Sequence, residues 1–252
     1  MSKDRFVTPQ DTETAGSPSL ARRLVPIGII LSGIALFFAL GLNKYITFES
    51  LRENRLMLLG LVDRNSVLAA VLFFAVYACI AAFSLPGAAV TSITGGFLFG
   101  LWLGTALNVV GATFGATLLF LAARTSLGDL LRQRAGPWMV RFERGFQENA
   151  ISYLLALRLM PLFPFFIVNL VPAFLGVSLR VFALTTFFGI IPAGFVYTAI
   201  GSGLSGVLEG GADLTLDRLL TPDISIALGG LGILSLLPVA YRLWRRHSKK
   251  TS

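Results

Sequence analysis

The chain has 252 residues, 55% of them apolar and 13% charged, with mean hydropathy +0.77 and a formal net charge of +8. Soluble domains carry about 25% charged residues, and half that density leaves too little polar surface to cover a globule of this size in water. An ordinary soluble enzyme, a disordered chain and a disulfide scaffold are excluded, and the single Cys79, in an apolar run, makes no intramolecular bridge.

Residues 1–23 mix Ser, Thr, Pro and charges without an apolar period and read as a disordered cytoplasmic tail. Residues 24–43 are 20 uncharged positions behind Arg22 and Arg23. They are longer than a signal-peptide core and no A-x-A site follows, so they read as a retained first transmembrane helix. Residues 44–64 hold four bases and three acids and read as an interfacial segment, with a surface helix near Leu51–Leu61. The next 59 residues, 65–123, carry no charge. As one helix they would extend ~88 Å, nearly three bilayer thicknesses, so the run folds back on itself.

Breakers show where it folds. Phe83-Ser84-Leu85-Pro86-Gly87 is followed by Gly95-Gly96-Phe97-Leu98-Phe99-Gly100 and by Gly104. Pro removes a backbone donor and Gly weakens a helix, and about 20 Å of helix between the breaks is too short to span. The second half repeats the order. Arg158-Leu-Met-Pro161-Leu-Phe-Pro164-Phe165 is a breaker, then come Asn169 and Ala173-Phe174-Leu175-Gly176, and Gly176 follows Gly100 by 76 positions (176 minus 100). Each half ends in an apolar span rich in small residues. The pair Gly111 and Gly115 fits close helix packing.

Positive charge sets orientation. Residues 124–158 hold six Arg against three acids, and the end of the chain holds Arg242, Arg245, Arg246, Lys249 and Lys250 without an acid. Both read as cytoplasmic. Residues 209–223 hold four acids and one base and read as external. The two hairpins then enter from opposite sides. The fold class is an all-α integral membrane protein, an inverted repeat of re-entrant helical hairpin plus transmembrane helix. It has about four full spans and two re-entrant hairpins. A membrane domain covers 65–204, with hairpins near 65–101 and 150–178. An extracytoplasmic loop (205–223), a last transmembrane helix (224–243) and a basic cytoplasmic tail (244–252) follow. Inverted repeats of broken helices place a site near the midplane.

Arg158 lies between nine uncharged residues and twenty-one. An Arg at depth costs several kcal/mol unless paired or hydrated, and its guanidinium suits phosphate or another oxyanion. Snorkelling to the headgroups and bracing a backbone carbonyl are the structural alternatives. Pro86, Pro161 and Pro164 shape the hairpin tips. Asn169 caps freed backbone or contacts a polar group. Gly95, Gly96 and Gly100 present N–H groups to an anion, or let the hairpins pack closely. Arg124, Arg132, Arg134, Arg141 and Arg144, with Trp138 and Phe142, form a basic aromatic segment suited to anionic lipid heads. Its place between membrane elements argues against nucleic acid. No catalytic constellation, metal-ligand spacing or Walker loop occurs, and the single His247 sits in the basic tail. Neither cofactor, metal nor enzymatic activity is expected.

The glycine motif 95–100 with Gly104 and Gly111, and the run Arg158-x-x-Pro161-x-x-Pro164-Phe165-x-x-x-Asn169 with Gly176, resemble the DedA superfamily, also called the VTT-domain or SNARE-associated Golgi protein family. The Pro-Phe and Asn pattern is closer to its late-Golgi branch. The resemblance covers about 65–204. It implies two facing re-entrant hairpins, each followed by a span, and membrane transport of one of two kinds: lipid translocation between leaflets, or proton-coupled transport of small solutes or ions. DedA-branch members carry acids near the first hairpin. Here none occurs between Asp63 and Asp129, and Glu49, Glu53 and Asp63 are the nearest.

The expected function is translocation of phosphate-bearing lipids, as a scramblase or flippase, through a cavity between the hairpins, with Arg158, Pro161, Pro164, Phe165, Asn169, Pro86, Gly95, Gly96 and Gly100 as candidates. The alternatives are an ion-coupled carrier of a solute or oxyanion, and a non-transporting assembly protein. Membrane lipids, anionic ones included, are the expected partners, and a homo-oligomer is left open. The expected location is the plasma (inner) membrane of a prokaryote with both termini cytoplasmic. In a Cys79→Ala background, Cys substituted at Pro86 and at Leu162 should label from opposite faces of sealed vesicles. Labelling of both from one face would refute the inverted arrangement.

Overall fold

The computed structural model describes residues 20–134, 149–159 and 164–209, with side chains over 25–126, 149–159 and 164–204. The elements described are helices: α1 (Leu20–Ala39), α2 (Phe48–Glu53), α3 (Arg55–Arg64), α4 (Ser66–Ala82), α5 (Ala88–Arg134), α6 (Ala150–Leu159), α7 (Phe165–Phe174) and α8 (Leu179–Glu209), with a 3-10 turn at Leu42–Lys44. The all-α membrane class read from the sequence is the one observed. Pro161, Arg141 and Arg144, the tail before residue 20, the loop beyond Glu209, and the span and tail expected at 224–243 and 244–252 lie outside the described residues. Of Arg132 and Arg134 only the backbone, at the end of α5, is described.

The first helix starts four residues ahead of the expected 24–43 span, because Arg22 and Arg23 do not interrupt it, and ends where Gly41 turns the chain at φ 66°. The interfacial segment 44–64 forms two helices rather than one, broken at Asn54. Thr47 caps α2 by accepting from the Ser50 N–H at 3.2 Å, and Asn65 caps α4 by accepting from the Leu68 N–H at 2.9 Å. Leu51 anchors the segment in a cluster with Ile93, Phe97 and Leu204.

Residues 66–209 carry one element order twice: a helix, a break, a short helix, a second break at a positive-φ glycine, and a long helix. α4 has 17 residues and α7 has 10, about 25 Å and 15 Å of helix, both short of a ~30 Å hydrocarbon core. Gly100 (φ 72°, ψ −177°) kinks α5 into a short leg, 88–99, and a long one, 101–134. Gly176 (φ 67°) stands at the matching place before α8. The apolar part of α8, Leu179–Leu204, has 26 residues, which is ample for a crossing.

The breaks have local causes. α4 closes with the Leu85 N–H donating to the Ile80 carbonyl at 2.9 Å and the Ser84 N–H to Ala81 at 3.1 Å. This is a Schellman ending with Ser84, at φ 49°, where Gly is usual. Pro86, without an N–H, prevents the helix from resuming earlier. α7 ends the same way. Val177 donates to the Pro172 carbonyl at 3.2 Å across Gly176.

The halves interlock. The short leg of α5 lies on α8, where a Cβ on Gly96 would strike the Thr198 backbone and one on Gly201 the backbone of Ile93. In return α7 packs on the long leg of α5, with Ala173 and Val177 in a core cluster with Ala116, Phe120, Leu154 and Phe182. The rings of Phe120 and Phe182 stack at 4.3 Å between centroids. Gly111 and Gly115 do seat α4, against Tyr77 and against the Ala78 carbonyl. Outside, Leu31, Leu36, Val71, Trp102, Phe114, Leu184 and Phe188 are exposed. That apolar perimeter is extensive for water and ordinary for lipid.

The Gly100 conformation belongs to glycine alone, so Gly100→Ala should lower stability by about 1–3 kcal/mol, although a Cβ there meets nothing within 4 Å. Ser84→Gly should raise stability by up to about 1 kcal/mol by removing a left-handed side chain. Thermal unfolding in detergent measures both, and shifts of the same sign would contradict the backbone argument.

Candidate functional site

Arg158 occupies the last turn of α6, where the chain breaks before Pro164 and α7. Its guanidinium neither snorkels nor braces a carbonyl. Nη2 donates to Asn169 Oδ1 on α7 at 2.6 Å and to Thr186 Oγ1 on α8 at 2.9 Å. The guanidinium carbon lies 5.7 Å from the Phe165 ring centroid and 5.4 Å from that of Phe182, within cation–π range. Gly189 of α8 makes room for it, since a Cβ there would come within 2.7 Å of the Arg158 Cβ. Asn169 and Thr186 are buried, so three helices converge on one cation.

Arginine has five N–H donors. Both hydrogen bonds start at Nη2, so Nη1 and Nε have no protein partner among the described residues. Arg158 borders a cavity of 270 Å³ between the two halves, shared with Tyr77, Ser92, Asn108, Phe165 and Tyr197. Among the described residues no carboxylate lines it. A half-buried cation whose described neighbours are dipoles and rings is costly, and an anion brought by a ligand offsets that cost. The volume lies just under the ~300–1,000 Å³ of drug-sized pockets. It suits a lipid head or a small oxyanion rather than a whole lipid.

A second polar group joins the first hairpin to the other half. Asn108, in the long leg of α5, donates from Nδ2 to the Ser92 carbonyl at 2.9 Å and to Thr198 Oγ1 at 2.8 Å. Tyr77 and Ser92 share a hydrogen bond of 2.9 Å.

The residues singled out from the sequence divide. Arg158, Phe165 and Asn169 come together. Asn169 receives the guanidinium instead of capping backbone. Pro164 caps α7 and is exposed, and Pro86 is exposed in the first break, so both shape turns. Gly95 and Gly96 face the Asn108 side chain and the Thr198 backbone and do not line the cavity, while Gly100 forms the kink. Arg124 is exposed on α5, with Nη1 3.5 Å from the Val177 carbonyl. Sequence reasoning passed over Thr186 and Phe182, which carry no signal of their own in an apolar helix, and counted Gly189 only among the small residues of the second span. It also passed over Asn108, whose polarity inside the 59-residue uncharged run was a usable sign.

Residues 85–203 match the family model of the VTT domain. Transmembrane protein 41B of Danio rerio is 30% identical over 174 residues, covering 68% of this chain and 59% of that protein. The Gallus gallus protein of the same name is 31% identical over 176 residues, covering 68% and 63%. The transmembrane protein 41 homolog of Dictyostelium discoideum is 30% identical over 179 residues, covering 70% and 52%. The chain thus spans less than two thirds of the length of the curated relatives it matches. No solved structure matches it.

Thr186→Val removes an acceptor from Arg158 and keeps the shape. A hydrogen bond to a charged group contributes about 1.5–3 kcal/mol, so the variant should lose about that much stability in detergent. In an Arg158→Ala background the same change should cost little. Equal losses in both backgrounds would show that Thr186 does not act through the guanidinium.

Proposed function

The chain belongs to the DedA superfamily of VTT-domain membrane proteins, and from that premise we propose that it translocates phosphate-bearing lipids between leaflets through the cavity where its two hairpins meet. The observation that carries the reading is Arg158. Its guanidinium borders the cavity and, among the described residues, Nη1 and Nε have no protein partner and no acid lines the space. A phosphate supplies the missing counter-charge and accepts from a planar fork of N–H groups.

Asn169 and Thr186 hold that fork from one edge, which leaves the other edge for the ligand. Phe165 and Phe182 keep it from swinging into the packed halves. The head group moves through the polar cavity while the acyl chains stay among the apolar outer faces of α4, α5 and α8. No bond is made or broken in this scheme, so the protein is not an enzyme. Its partners are membrane lipids and its place is a cell membrane. The cytoplasmic orientation of both termini, in the inner membrane of a prokaryote, rests on the positive-inside distribution alone. The absence of an acid among the described lining residues also disfavours proton coupling through a buried carboxylate.

Purified protein in liposomes should accelerate exchange of an acyl-chain-labelled phospholipid, read by quenching of the outer leaflet. Arg158→Ala should slow exchange about 10-fold or more, the loss of one charge-assisted anion contact, with Arg158→Lys intermediate. Exchange no faster than in empty liposomes would overturn the lipid reading. Uptake of phosphate into the same vesicles under a proton gradient would then favour the carrier.

A further inference from the structure

Ile190, Ala193, Gly194 and Tyr197 of α8 line the cavity that Arg158 borders. Their spacing puts them on one face of the helix. Among the described lining residues only Ala89 and Tyr197 are exposed, and the others are half-buried or buried. These two therefore stand at the rim, Ala89 in the first turn of α5 and Tyr197 on α8. The cavity opens between them onto the outer surface, where Leu184 and Phe188 of α8 are also exposed.

Tyr197 is the rim side chain that can hydrogen-bond. Its hydroxyl makes no hydrogen bond among the described residues. Its neighbour Thr198 is tied to Asn108 and to the Gly194 carbonyl, so α8 is held in place here while the phenol is uncommitted. Long side chains on a helix lean over the turn before them. For Tyr197 that turn holds Ala193 and Gly194, which leave the ring room. The phenols of Tyr77 and Tyr197 are near enough to interact electrostatically, which puts the Tyr197 hydroxyl on the cavity side. Arg158 packs lower on the same helix, at Gly189. Eight residues separate Gly189 from Tyr197, ~12 Å of helix, and two long side chains shorten that gap from either end.

We propose that lipid head groups enter and leave the cavity sideways, between Ala89 and Tyr197, and that the Tyr197 hydroxyl donates to the phosphate on its way to the Arg158 guanidinium. The methyl of Ala89 leaves the gap open, and the apolar surface outside it keeps the acyl chains. A phenol and a guanidinium both donate to oxyanions, so the phosphate is passed from one donor to the next without losing a partner. This inference rests on the translocation reading above and assigns its route.

Exchange of an acyl-chain-labelled phospholipid in liposomes tests it through two changes. Tyr197→Phe removes a hydroxyl that has no described protein partner, so thermal unfolding in detergent should match the native protein. Its exchange should slow by about 10-fold, the loss of one hydrogen bond to a charged group. In a Cys79→Ala background, Ala89→Cys is modified with a bulky methanethiosulfonate reagent. Exchange should stop and should return on reduction in the same vesicles, which a folding defect would not allow. Ala106→Cys, exposed on α5 and away from the rim, should exchange at an unchanged rate under the same treatment. Native exchange by Tyr197→Phe, or a loss of stability in it, overturns the role of the hydroxyl. A modified Ala89→Cys that still exchanges, or an equal block at Ala106→Cys, overturns the route and leaves translocation standing. No exchange of lipid by the native protein overturns the translocation reading, and the route falls with it.

Discussion

Breaking a helix inside hydrocarbon frees backbone groups that only protein or enclosed water can satisfy. The main packing of this molecule answers that constraint. The leg of α5 before Gly100 is covered by α8, and α7 is covered by the long leg of α5, so each half shields the broken helix of the other. Backbone meets backbone at Gly96 and Thr198, and again at Gly201 and Ile93, because no side chain stands between them. The same exchange brings the two breaks, and the side chains beside them, to one cavity.

The repeat is one of geometry and not of chemistry. A shift of 76 positions superimposes the glycines Gly100 and Gly176, which share a positive φ, and pairs Tyr77 with Tyr153. The same shift places Ala82 opposite Arg158 and Leu184 opposite Asn108. One half contributes a cation with spare donors and the other an amide whose two hydrogens go to the Ser92 carbonyl and to Thr198. A cavity between chemically unlike halves presents different side chains from wall to wall, which a strict repeat with a two-fold relation would not allow.

The candidate site was partly legible. Arg158 stood out because a charge among thirty uncharged neighbours demands an explanation, and Asn169 because it is polar in an apolar arm. Their partnership was not visible, since a separation of 11 residues across a helix break has no fixed geometry. Thr186 and Gly189 look like any small residues of a membrane helix. They acquire a role only because α8 presents them to α6. The glycines Gly95 and Gly96 were equally open to packing and to anion contact, and the nearness of Asn108 and Thr198 assigns them to packing.

The sequence by itself determined the solvent, the helical class and the punctuation of the chain. Those depend on local properties: charge density, runs of apolar residues, a missing N–H at Pro and a missing Cβ at Gly. The DedA/VTT resemblance rested on the same local signals, and the family model and the curated relatives agree with it. Only the tertiary structure decided which helix shields which break, that Arg158 is clamped from one edge by Asn169 and Thr186, and that Tyr77, Ser92 and Asn108 border the same cavity. These are contacts between segments from 11 to 90 positions apart. Their free energies depend on which surfaces meet after the chain has folded back, and that is not encoded in any single run of residues.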